Sequence, residues 1–233
     1  MEKNKKDLSV WDFVANGSKR PIFNYVYYNH EDKVAVGTNG HKLFVSHKDY
    51  RPLHKKYEVE VFENGKQSKK VREYPVYDKY DNGVEGVFPN YKAVIPHDYN
   101  LTPVTLASEE EIRKRIAEAK EEHKSLGRRN PNKRIAISVM GEDEYGLRFV
   151  FRNKLVSIEN VNIMLAAGLE GWQIYFHHHI DGSGTNVEMF VKKFENGDVI
   201  LLSPIRIIVD GSKFCNNDQT NKIKYQSFNQ DLY

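Results

Sequence analysis

Cysteine is almost missing from this sequence of 233 residues: Cys215 stands alone, so no intrachain disulfide can form, and no CxxC or Cys/His spacing suggests a structural zinc module. A disulfide scaffold is excluded, and a reducing cytoplasm is the expected setting. Long apolar runs are missing too. No window approaches the roughly 18 apolar residues of a membrane helix, and the opening MEKNKKDLSV is charged with no apolar stretch, so no membrane span or secretory leader is expected. Charge of one sign is scarce: 35 Lys and Arg face 32 Asp and Glu, a formal net charge of +3 that by itself selects no polyanion as partner. The motifs of the commoner enzyme classes are absent as well. There is no GxxxxGK[ST] loop, GxGxxG turn, HExxH or GxSxG, so no catalytic residue, metal or cofactor is assigned.

What remains is an ordinary globular composition, 39% hydrophobic, 12% aromatic and 29% charged, sufficient for one or two packed domains. Period two dominates the first hundred residues. Ile22 to Tyr28, Val34 to Val36, Leu43 to Val45 and Tyr57 to Val61 are read as strands, with Asn39-Gly40 and Asn64-Gly65 as turns between antiparallel neighbours. A short helix is expected near Val10 to Val14. Residues 62 to 86, rich in Lys and Tyr, fit a solvated edge hairpin better than a binding face.

From Ser108 the pattern changes. Ser108 followed by Glu111 is a capping box opening a helix to Leu126, whose apolar stripe is only Ile112, Ile116 and Ala119, so it should lie on a surface. A second helix is expected from Ser157 to about Gly168, amid strands at 135–139, 147–151, 172–180, 187–194 and 199–208. Residues 211–233 form a polar, Asn-rich tail.

Two clusters carry chemistry. Lys124, Arg128, Arg129, Lys133 and Arg134 make a basic stretch that fits either a phosphate-contacting patch for double-stranded DNA or a solvated loop. His177 and His179 would share one face of a strand with Asp181, a possible two-His half-site for a metal, although polar residues also gather where a strand enters a turn such as Asp181-Gly182-Ser183-Gly184.

Three further segments carry a resemblance. Arg20-Pro21-Ile22 with the run from Val36 through Thr38-Asn39-Gly40-His41-Lys42-Leu43 to Val45, then Gly86-Val87-Phe88-Pro89-Asn90-Tyr91 through Pro96, then Asp198 to Ile207 resemble, in order, three signatures of the bacterial DNA polymerase sliding clamp family. The resemblance implies an α+β, DNA-clamp-like fold of mainly antiparallel sheets with a few helices, in two clamp-like units over 1–100 and 101–210. It also implies a processivity role in DNA replication, without enzymatic activity, and a groove that takes peptide motifs of replication or repair proteins. By the same resemblance the groove comprises Thr38, Gly40, His41, Lys42, Leu43, Pro96, Leu201, Ser203, Pro204, Ile205 and Arg206. Leu43, Pro96, Leu201, Pro204 and Ile205 would form an apolar floor, and His41, Lys42 and Arg206 would donate to the peptide.

The departures are as specific. Two units would not close the three-domain subunit's ring unless the chain forms a homo-oligomer, Ser203 stands where the family has methionine, and the expected helix between Val45 and Phe88 is missing. A metal-dependent nuclease built on the His177 to His179 strand, or a peptide-binding module without a ring, are the alternatives.

Overall fold

The computed structural model describes residues 7–52, 56–73, 76–80, 82–84, 86–125, 134–142, 148–177 and 187–204. Thirteen strands and two α-helices form within these residues, which matches the expected class of mainly antiparallel sheet with few helices.

The first half supplies β1 (Val26–Asn29), β2 (Val34–Thr38), β3 (Lys42–Ser46), the ribbon β4 (Lys56–Glu63) and β5 (Lys66–Glu73), and the short β6 (Val76–Tyr77) and β7 (Gly83–Val84). The second half supplies β8 (Leu101–Leu106), α1 (Glu109–Ser125), β9 (Arg134–Glu142), β10 (Arg148–Ser157), α2 (Ile158–Ala167), β11 (Trp172–His177), β12 (Val187–Lys193) and β13 (Val199–Leu202). Eleven strands join one sheet in the order β10-β9-β8-β11-β12-β13-β3-β2-β1-β6-β7, while β4 and β5 pair only with each other. All the pairings are antiparallel, as the turn signals require. Within this sheet the halves join at the seam where β13 runs beside β3, with Leu201 opposite Leu43 and Ile200 opposite Phe44.

Alternation along the seam strands divides the core between two faces. On one face Phe44, Ile200 and Leu202 join Trp172, Ile174, Phe190 and the buried sides of both helices. On the other, Leu43, Leu201, Val36 and Val191 pack under Tyr91, with Phe88 and Met189 alongside. The helix-side core draws residues from both halves, so the seam is filled on that side by side chains from each.

Both long helices start where their caps place them. The Glu111 amide donates to Ser108 Oγ at 3.2 Å and the Asn160 amide to Ser157 Oγ at 3.1 Å, each satisfying a donor that has no helical partner. The α1 stripe behaves as read, with Ile112 and Ile116 buried and Ala119 half-buried.

Two expectations need correction. The segment from Ile22 is not strand throughout: Pro21–Asn24 is a 3-10 turn, and β1 begins only at Val26. Pro21 sits at the first helical position, where its fixed φ and missing N–H suit a turn and not a ladder. The helix near Val10 is likewise one 3-10 turn, Val10–Asp12, closed by Ser9 and Asp12 capping each other's backbone.

Candidate functional site

Leu201, Leu43 and Thr38 lie in one row across β13, β3 and β2, and all three are buried. This row is the base of a groove of about 200 Å³ on the face away from the helices. One wall is the turn between β2 and β3. There Asn39 Oδ1 accepts from the amides of His41 (2.9 Å) and Lys42 (3.0 Å), and Thr38 Oγ1 donates to the Lys42 carbonyl at 2.7 Å while accepting from Gly40 N. Gly40 has φ +87, a left-handed conformation that glycine takes freely, and a Cβ there would stand 3.4 Å from the Phe23 ring that also lines the groove. Across the seam the Ser203 amide donates to the His41 carbonyl at 2.8 Å, carrying the β13 end round beside the turn.

The far wall is the segment from Phe88 through the 3-10 turn Tyr91–Val94. Tyr27 stacks on Phe88 at 5.0 Å between centroids and lies tilted to Tyr91 at 6.2 Å. The Tyr91 hydroxyl donates to Asp32 Oδ2 at 2.7 Å and accepts from Asn29 Nδ2 at 3.1 Å, and Lys92 Nζ reaches the same carboxylate at 2.6 Å. Lys92 first and Tyr91 second hold the Asp32 carboxyl below its ordinary value. Burial, and then the hydrogen bond to Asp32, raise the Tyr91 hydroxyl well above the ordinary tyrosine range. These groups fix the wall from behind, leaving the Tyr91 ring in the core and Val94, 48% exposed, at the rim.

Of the eleven groove residues read from sequence, Thr38, Gly40, His41, Lys42, Leu43, Leu201 and Ser203 line this groove. Pro96 is buried outside the lining and its carbonyl accepts from Lys193 Nζ at 3.3 Å; Pro204, half-buried, follows Ser203. Ile205 and Arg206 lie outside the described residues.

Lys42 is the substantive correction. Its ammonium does not face the groove: it donates to the Asp12 carbonyl at 2.7 Å, pairs with Glu159 on α2, and stands 5.7 Å from the Phe13 ring centroid. The reason is alternation. Leu43 faces the groove, so Lys42, one residue earlier on β3, faces the helix layer, opposite Leu202. Seven further residues line the groove: Phe23, Phe88, Pro89, Asn90, Tyr91, Val94 and Met189. The segment from 86 to 96 was singled out by resemblance, and its aromatic content was the available signal. Phe23, which follows Ile22, and Met189, on β12, are turned to the groove by the tertiary fold.

The other sequence-derived clusters are described only in part. Lys124 lies in the last turn of α1 and Arg134 opens β9, while Arg128, Arg129 and Lys133 lie outside the described residues. His177 ends β11; His178, His179 and Asp181 are also outside them. Among the described residues no three His, Cys, Asp or Glu are placed to hold a metal ion, and no helix is long and apolar enough to cross a membrane.

No family model and no curated protein sequence matches this chain. Among solved structures it is similar to a DNA polymerase sliding clamp from Caulobacter crescentus, at 14% identity with a TM-score of 0.39, over 85% of this chain and 62% of that one. It is also similar to the DNA polymerase III subunit beta from Pseudomonas aeruginosa, at 12% identity with a TM-score of 0.38, over 84% of this chain and 63% of that one. The chain therefore spans less than two thirds of the length of either structure.

Proposed function

We propose that this protein is a non-enzymatic, clamp-like accessory factor of DNA replication in the cytoplasm, which docks short peptides of replication or repair proteins in the groove at the β3–β13 seam. On this reading residues 1–100 and 101–210 are two clamp-like units joined edge to edge, with double-stranded DNA held without sequence preference by lysines and arginines that include the stretch from Lys124 to Arg134. One observation carries the proposal. Three segments far apart in sequence, around Gly40, Tyr91 and Ser203, meet in one groove whose base carries Leu43 and Leu201 and whose rim offers exposed His41.

The dimensions favour a peptide. At about 200 Å³ the groove is smaller than the roughly 300–1,000 Å³ of a small-molecule pocket, so it suits one or two anchoring side chains of an extended segment. Leu43, Leu201 and Met189 offer a leucine or phenylalanine an apolar seat, and the withdrawal of the Lys42 ammonium removes one source of charge recognition.

A synthetic peptide carrying Gln, Leu and a terminal Phe is expected to bind with a Kd of about 1 μM, roughly 8 kcal/mol. Val94→Asp, at a half-exposed rim position that the fold does not need buried, should weaken it at least tenfold while the thermal melt stays unchanged. Calorimetry showing no heat with the folded wild-type protein, or equal affinity for the variant, removes the groove from the account.

A further inference from the structure

We infer that the first turn of α2 holds the groove in shape: Glu159 and Asn160, adjacent on the chain, each fasten one of the two strands, β3 and β13, that meet at the seam in its base. The inference rests on reading the groove as a peptide site, and it adds a determinant of affinity on the opposite face of the sheet.

The connections are direct. Asn160, buried, donates from Nδ2 to the Ser203 carbonyl at 3.2 Å, and the amide of that same Ser203 is bonded to the His41 carbonyl. Glu159 pairs with Lys42, whose own backbone carbonyl takes the Thr38 hydroxyl and the Asn39 amide within the groove turn. One helical turn thus grips the end of β13 through Asn160 and the start of β3 through Glu159. Lys42 cannot relax freely, since its ammonium is also bonded to the Asp12 carbonyl and its side chain is almost fully enclosed.

The helix is itself secured at its other end. Lys192 Nζ donates to the carbonyls of Ala167 (2.6 Å), Gly168 (2.9 Å) and Glu170 (2.9 Å), and Trp172 Nε1 donates to Gly168 O at 2.8 Å. With Ile158, Val161 and Met164 buried between these anchors, a shift of α2 cannot be absorbed within the helix and reaches the two strand ends. Glu159 and Asn160 are therefore positioning residues. They touch no peptide, yet they fix the separation of His41 and Ser203 that a peptide must fit. Linkage makes the effect mutual: a peptide that fits this separation steadies the first turn of α2.

The test uses the full chain as wild type, Asn160→Ala, Glu159→Gln and, as a control at an exposed position of the same helix, Asn162→Ala. Hydrogen exchange at single amides is followed with and without the groove peptide, and peptide affinity is measured by anisotropy. Asn160→Ala should speed exchange of the Ser203 amide roughly tenfold and weaken the peptide by a similar factor, Glu159→Gln should act in the same direction, and Asn162→Ala should do neither. In the wild type, peptide should slow exchange at the amides of Asn160 and Val161. Unchanged Ser203 exchange in Asn160→Ala overturns the inference, as does a rise spread evenly over the sheet, which would mean general loss of stability. If the wild type binds no peptide, the groove reading fails by itself and the Ser203 comparison still decides whether α2 holds the seam.

Discussion

Replacing Tyr91 by Phe removes one oxygen from the wall of the groove and leaves its aromatic packing in place, so it isolates what the polar network behind that wall contributes. The hydroxyl donates to the ionised Asp32 at 2.7 Å and accepts from Asn29 at 3.1 Å. A hydrogen bond to a charged group contributes about 1.5–3 kcal/mol. The Asp32 side chain is 32% exposed, so water replaces part of what is removed, and the lower end, about 1.5 kcal/mol, applies. Asn29 keeps Asp32 as acceptor at 2.9 Å, and no cavity opens. With an m value of about 3 kcal/mol/M, the urea midpoint at pH 7 should fall by about 0.5 M.

The pH dependence gives a second, independent check. Asp32 has its folded pKa lowered, so the stability it contributes is present above its unfolded value of about 3.9 and is lost as pH falls through the folded one. Tyr91 has its folded pKa raised, so its contribution is whole below about pH 10 and fades only as pH rises beyond it. The difference between wild type and Tyr91→Phe should therefore be full at pH 7 and shrink in acid as pH falls through the lowered folded value of Asp32, the remainder being the hydrogen bonds of the Tyr91 hydroxyl that need no charge on Asp32. An unchanged midpoint at pH 7, or a shift that does not diminish as pH falls until Asp32 is protonated, would refute this account of the wall.

Two further outcomes are expected. Gly37→Ala would place a Cβ 2.2 Å from the Val10 carbonyl oxygen, backbone against backbone in the core, at a cost of about 3 kcal/mol or more. Differential scanning calorimetry should record a Tm lower by about 6–12 °C, and an unaltered Tm would mean that the turn at Val10 is not packed on β2. Replacing Arg128, Arg129, Lys133 and Arg134 together by Ser should weaken retention on a duplex DNA column at low salt and flatten its salt dependence, by about 0.9 in the logarithmic slope for each phosphate no longer neutralised. Equal retention would place any DNA-binding surface elsewhere.

The local elements were legible because short-range rules decide them. Ser108 and Ser157 mark helix starts through donors that need an acceptor within three residues, and Asn39-Gly40 marks a turn through the backbone angle glycine accepts. The continuous apolar runs Val34 to Val36 and Leu43 to Val45 likewise mark strands, the second of them the seam strand, without naming its partner. In the segment beginning at Pro21, the β-branched and aromatic run suggests a strand, whereas the proline ring's missing donor prevails in the fold.

Tertiary structure decided the rest. That β13 lies beside β3, far from it in sequence, follows from no local pattern, because antiparallel edges offer the same hydrogen bonds to any strand and only burial on both faces selects the partner. The same choice determined the groove. Phe23 and Met189 reach it only through the packing of their elements, and Lys42 leaves it because one step along β3 turns a side chain to the opposite face. The sequence by itself determined which residues could bend, cap and alternate; the packing of the two faces determined which of them meet, since the free energy of burying Leu43 against Leu201 exists only once both strands are in register.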